Sequence, residues 1–184
     1  MKKALVIFVV AVFAVLAWIV YLSSEADKRD QEAAKVPLIT VMEILHASDL
    51  QQGIKQAVEN KNEGAVDEWM KQAIAVSEAA NLSKQDLDYL MSETAKDYVV
   101  FNAKRQLFNE AFEARYYSLE EVESLKQQYP EAKDLFARTD VLIRKRDAII
   151  EQIAKTLSGS NTVDDVSLNK ARQQWREQAE KLEQ

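Results

Sequence analysis

The chain has 184 residues, no cysteine, one histidine, three glycines, two prolines and a formal net charge of −6. That length makes one domain with a real core the starting expectation, and the missing cysteine excludes a disulfide framework, a thiol nucleophile, a cysteine zinc site and a lipid-attachment cysteine. So few chain breakers favour long helices over strands, and an acidic balance without a basic, aromatic-interleaved stripe excludes the charge pattern of a nucleic-acid binder.

The first element is apolar. Ala4 to Leu22 contains no charge, amide, glycine or proline. As a helix it would cover roughly 28 Å, close to the ~30 Å hydrocarbon thickness of a bilayer, whereas the apolar region of a cleaved signal is usually ~7–15 residues long. Trp18 and Tyr21 lie near its outer end, where aromatic rings favour the headgroup level. Residues 4–22 are therefore read as an uncleaved transmembrane anchor whose partner is the lipid bilayer. The alternative is cleavage after Ser24-Glu25-Ala26, which would release a soluble helical protein. Lys2 and Lys3 place residues 1–3 in the cytoplasm and residues 23–184 outside, in a bacterium the periplasm. The two lysines carry +2 ahead of the span, so the exported part carries −8.

Residues 23–36 (SSEADKRDQEAAKV) are polar helix formers and read as a helical stalk, about 20 Å long if helical. Residues 37–157 then read as an all-α, compact bundle of about six helices. Pro37 suits a first helical position, and Ser48-Asp49-Leu50-Gln51 has the form of a capping box. Asn60 to Gly64 is a turn, and Val66, Trp69, Met70, Ala73, Ser77 and Ala80 form the next stripe. Ser83 is expected to cap the longest helix, a central one running to about Tyr117, with a face wide enough to be contacted on more than one side. Ser118-Leu119-Glu120-Glu121 has the form of a second capping box, opening a short helix that ends before Pro130. Leu135, Leu142, Ile149 and Ile153 mark a long helix to Leu157. Residues 158–166 form a hinge and residues 167–184 a C-terminal amphipathic helix. No internal repeat is present.

Chemistry-bearing motifs are scarce. Glu43-Ile44-Leu45-His46 has the Glu-x-x-His spacing, but a di-metal carboxylate site needs that motif twice, and His46 is the only histidine. His46 instead reads as a helix-terminal residue. Asp86, Asp88, Glu93 and Glu110 read as solvated carboxylates. With no glycine-rich phosphate loop or nucleophile elbow, no catalytic, metal or cofactor site is expected, and the chain is not read as an enzyme.

Three features bear on partners. Arg105 falls near an apolar face between Phe101 and Phe108, as a polar groove for a peptide or as an arginine paired at the edge of the core. Arg144-Lys145-Arg146 is flanked by Asp140, Asp147 and Glu151 and reads as helical ion pairs. The last helix carries Leu168, Ala171, Trp175, Ala179 and Leu182 at spacings 3, 4, 4 and 3, as narrow as a coiled-coil seam, with Trp175 as its anchor. It either packs back on the domain or docks a protein partner.

Leu82-Ser83-Lys84-Gln85-Asp86 is similar to the Leu-Thr-x-x-Gln element of small periplasmic helical chaperones of the Spy and CpxP type. Serine replaces threonine, the glutamine stands one place early, and a helix-capping motif explains the same five residues, so no family is assigned. The expectation from the whole sequence is a membrane-anchored, periplasmic helical interaction or chaperone-like protein. The alternative is a structural or assembly subunit of an envelope complex. Partner identity and oligomeric state are not specified by the sequence.

Overall fold

The computed structural model describes residues 39–160 and 162–182. The cytoplasmic N-terminus, the expected span at 4–22 and the stalk at 23–36 lie outside the described residues. Among the described residues all regular structure is helical, and no helix is long and apolar enough to cross a membrane.

Helix α1 (Val41–Leu45) opens on a reciprocal cap. The Glu43 amide donates to Thr40 Oγ1 at 3.3 Å, and the Thr40 amide donates to Glu43 Oε2 at 2.7 Å. Two orphan donors are thereby satisfied, and these bonds to Thr40 hold the Glu43 carboxyl below the usual glutamate range. Helix α2 (Ser48–Glu59) starts without a side-chain cap, because Ser48 is already its first helical residue and Ala47 stands at the capping position. Lys61 takes a left-handed turn, and Asn62 then caps α3 (Glu63–Ala79) by accepting from the Ala65 amide at 3.1 Å.

The expected single helix from Ser83 to Tyr117 is two helices. Ser83 caps α4 (Lys84–Leu90), as its Oγ accepts from the Asp86 amide, and Ser92 caps α5 (Glu93–Ser118) through the Ala95 amide at 3.3 Å. A second serine cap, followed at once by Glu93 at a helix N-terminus, stops one helix and starts the next. The apolar stripe conceals the break because its phase continues across it.

Helix α5 runs through Ser118 and stops where Leu119 turns left-handed, with φ of 66°. Ser118 is thus not a cap: its hydroxyl donates back to the Arg115 carbonyl. The Glu121 carboxylate instead accepts from the Glu123 and Ser124 amides at the start of α6 (Glu123–Gln128). A 3-10 turn at Pro130–Leu135 leads into α7 (Phe136–Ser158), and α8 (Asp165–Leu182) is the last element. With the Met91-Ser92 break counted, the described residues form seven α-helices before α8 rather than about six.

Three small cores follow one another along the chain. Ile44, Leu45, Leu50, Ile54, Val66, Met70 and Leu90 meet the first half of α5 through Ala95, Val99 and Ala103. Phe108 and Phe112, from its second half, pack with Val122, Leu125 and Ala132. Ile150 and Ala154 of α7 pack with Ala171 of α8. Helix α5 is central in this sense, since α2, α4, the 3-10 turn and α8 all lie against it. The alanines at 95, 103, 154 and 171 are each at most 3% exposed. Small side chains at these crossings let the helix backbones approach closely, so a larger residue there would overpack.

Candidate functional site

Helix α8 lies against α7 and reaches α5. Asp164 fixes its start, accepting from the Ser167 amide at 2.7 Å, and this bond holds the Asp164 carboxyl below the usual range. In the preceding turn Gly159 has φ of 65°, a conformation that favours glycine. Ser160 and Thr162 exchange hydrogen bonds there at 2.9 and 3.1 Å. Ala171 and Ala179 are buried, and Leu168 and Trp175 are partly buried. Helix α8 extends to Leu182. The Trp175 indole stands edge-on to Tyr116, with centroids 5.6 Å apart, and stacks on Tyr117 at 6.4 Å. Leu168, Ala171, Trp175 and Ala179 of the narrow stripe thus turn inward, and the aromatic at its centre anchors α8 to the end of α5.

Arg105 is paired at the edge of the second core. Its guanidinium forms a fork on both Asp134 oxygens, with Nη2 donating to Oδ2 at 3.0 Å, and Nη1 also donates to the Glu131 carbonyl at 3.2 Å. The Phe101 ring lies beneath it, 5.4 Å from the centroid. Bidentate pairing of this kind is charge-assisted and geometrically specific, and it draws the Asp134 carboxyl below its usual value. At Glu131, burial is the largest single influence and favours the neutral acid, but the bond from Lys104 at 2.7 Å, the Lys104 charge and a backbone hydrogen bond together outweigh it and the pKa falls. Arg105 and Lys104 therefore fasten α5 to the 3-10 turn and are engaged within the chain.

Arg146 separates from its neighbours in the basic cluster. It is buried, its Nε donates to Asp147 Oδ1 at 2.8 Å, and its Nη1 reaches the Tyr116 carbonyl at 3.3 Å. Its guanidinium also lies over the Tyr116 ring. Arg144 and Lys145 are exposed. His46 does end a helix, as the C-cap of α1, and its Nε2 lies 2.7 Å from the Tyr98 hydroxyl. Glu43 is committed to the Thr40 cap, so the Glu-x-x-His pair is divided between two structural roles. Among the scattered carboxylates, Glu110 pairs with Lys55 at 2.6 Å and Asp86 accepts from the Ser83 hydroxyl. Among the described residues no three His, Asp or Glu side chains are grouped to hold a metal ion.

A feature missed by the sequence reading is an open apolar cleft of about 610 Å³ between α1, α2 and α3. Ile44, Leu50, Gly53, Trp69, Ala73 and Val76 form its walls, with Asp49 and the glutamines 52, 56 and 72 around them. Val76 is 53% exposed, the mark of an apolar wall left uncovered. Gly53 makes the cleft possible: a Cβ there would overlap Cε2, Cζ2 and Nε1 of Trp69. The sequence carries a weak signal for it, because a glycine inside a helical pattern gives up ~1 kcal/mol relative to alanine and so points to a packing reason.

No protein-family model, curated protein or solved structure matches the chain.

Proposed function

We propose that this chain is a single-pass, membrane-anchored, exported helical interaction protein, held at the periplasmic face of a bacterial inner membrane. The observation that carries the reading is the uncharged run Ala4–Leu22, preceded by Lys2-Lys3 and joined to an acidic helical domain. The apolar cleft supports the interaction role. It offers Leu50, Trp69 and Val76 with no lysine or arginine in its wall, and so suits an uncharged apolar segment of a protein partner better than an acidic one. Chaperone-like capture and a structural spacer role in an envelope complex are the two versions of this reading. The cleft favours the first, since a pure spacer needs no open apolar wall.

Two measurements on the full chain test this. Membrane fractionation with N-terminal sequencing should find the intact N-terminus in the inner membrane, whereas a mature protein beginning at Asp27 would overturn the anchor. A photo-crosslinker at Val76 should capture a protein partner in living cells, and one at exposed Arg138, away from the cleft, should not. Equal capture from both positions would remove the cleft from the reading.

A further inference from the structure

We propose that the cleft between α7 and α8 is a binding site for a doubly charged phosphate-type oxyanion, held by Arg172 and Arg176. The cleft is about 590 Å³ and collects three arginines, at 146, 172 and 176, within an acidic protein. Two carboxylates, Asp147 and Glu151, face it from α7. Both are already engaged: Asp147 takes the bond from Arg146 Nε at 2.8 Å, and Glu151 pairs with Lys155 at 2.6 Å. Once these two pairs cancel, Arg172 and Arg176 remain. Both are exposed, and among the described residues neither has a carboxylate within ion-pair distance.

The chemistry follows from that remainder. Like charges four residues apart on one helix repel, and a bound dianion converts that repulsion into two attractions. Guanidinium forks match phosphate oxygens with paired donors, which a lysine at the same place would not provide. Ile150 and Leu168 give the cleft an apolar side beside the arginines, which suits a phosphate carried on an organic group. Free phosphate and a lipid phosphate headgroup share this chemistry. The inference stands apart from the membrane reading, because it rests on α7 and α8 alone.

The test uses the full isotope-labelled chain and follows the side-chain Nε–H signals of Arg172 and Arg176 and the backbone amides of α8. One arm titrates inorganic phosphate against chloride at constant ionic strength, which removes general screening. The other compares phosphatidylcholine nanodiscs with and without phosphatidic acid. A saturable shift in the phosphate arm supports a site for free phosphate, and one confined to the phosphatidic acid discs supports a headgroup site. In either case the double variant R172Q/R176Q should weaken binding at least about tenfold, through the loss of two charge-assisted contacts. Its circular dichroism should be unchanged, since both side chains are exposed. No saturable shift in either arm overturns the proposal, as does a response that the double variant retains. The first result would mean that the arginines close onto Asp147 and Glu151 instead.

Discussion

The indole of Trp69 occupies the space that a side chain on Gly53 would need. Two effects therefore oppose each other in Gly53→Ala. Alanine gains ~1 kcal/mol in helix propensity, and overpacking costs ~1–3 kcal/mol. The overlap reaches three atoms of one rigid ring, which puts the cost at the upper end. Gly53→Ala should then lower stability by a net ~1–2 kcal/mol in urea unfolding. In a Trp69→Leu background the same substitution should instead stabilise by up to ~1 kcal/mol. An unchanged midpoint in the wild-type background would show that the indole swings aside freely and does not form a fixed cleft wall.

Ser92 separates α4 from α5. Its Oγ accepts from the Ala95 amide and donates to the Tyr89 carbonyl at 2.6 Å, so one side chain serves both helix ends. Ser92→Ala should cost ~1 kcal/mol, within the 0.5–2 kcal/mol usual for a lost N-cap. Thermal unfolding of the full chain measures it. Ser118→Ala, at a serine that resembles a cap in sequence but is not one, should change the midpoint little.

These two serines mark what the sequence made legible. The all-helical class followed from three glycines and two prolines among 184 residues, and the caps at Ser83 and the end of α1 at His46 followed from local chemistry. The break at Ser92 did not, because an apolar stripe reports which face is buried and not whether the backbone is continuous. The capping-box patterns at Ser48 and Ser118 failed for the converse reason. Four residues can match the pattern while the helix has already begun, or has not yet ended. For Arg105 the sequence favoured the paired or snorkelling arginine over the groove but could not name its partner. Only the 3-10 turn, which brings Asp134 and the Glu131 carbonyl to one guanidinium, supplies it. The Gly53–Trp69 contact joins α2 to α3 across a crossing that periodicity does not specify.

The Arg105–Asp134 pair makes a prediction in pH. The bond from Arg105 lowers the Asp134 pKa below the usual aspartate value of 3.8. A carboxyl depressed in the folded state contributes stability that is present above its unfolded pKa and is lost as pH falls through the folded one. Wild type should therefore exceed Asp134→Asn in stability near neutral pH, and the two curves should converge in strong acid, below the ordinary aspartate value. High salt should shrink the neutral-pH gap, since Asp134 is exposed. Parallel curves down to the lowest pH measured would mean that the two side chains do not interact in solution.

Arg146 joins α7 to the end of α5 through the Tyr116 carbonyl and ring. Arg146→Met keeps much of the apolar stem but removes the donors, leaving that carbonyl without this partner. Hydrogen bonds involving a charged group contribute ~1.5–3 kcal/mol, and a loss of that size is expected in urea unfolding. Arg146→Lys should recover only part of it, because an ammonium cannot reproduce the planar fork that meets Asp147 and Tyr116 together. Arg144→Met, at an exposed neighbour in the same basic run, should stay within ~0.5 kcal/mol of wild type.

Trp175 tests whether α8 belongs to the domain or waits for a partner. Its ring contacts Tyr116 and Tyr117, and Ala171 and Ala179 on the same stripe are buried. Removing a fully buried aromatic costs ~3–5 kcal/mol, and a partly exposed one costs less, so Trp175→Ala should cost ~2–3 kcal/mol. The loss should be local first. Helix α8 is held chiefly to α7, and the turn from Ser158 to Ser160 becomes the cleavable point once the helix lifts. Limited proteolysis should therefore cut Trp175→Ala within that turn well before the rest of the chain, while Trp175→Phe, which keeps an aromatic face for Tyr117, should resist. If Trp175→Ala were as stable and protease-resistant as wild type, the inward packing of α8 would contribute little, and a partner-docking role for Leu168, Trp175 and Leu182 would become the better account of the stripe.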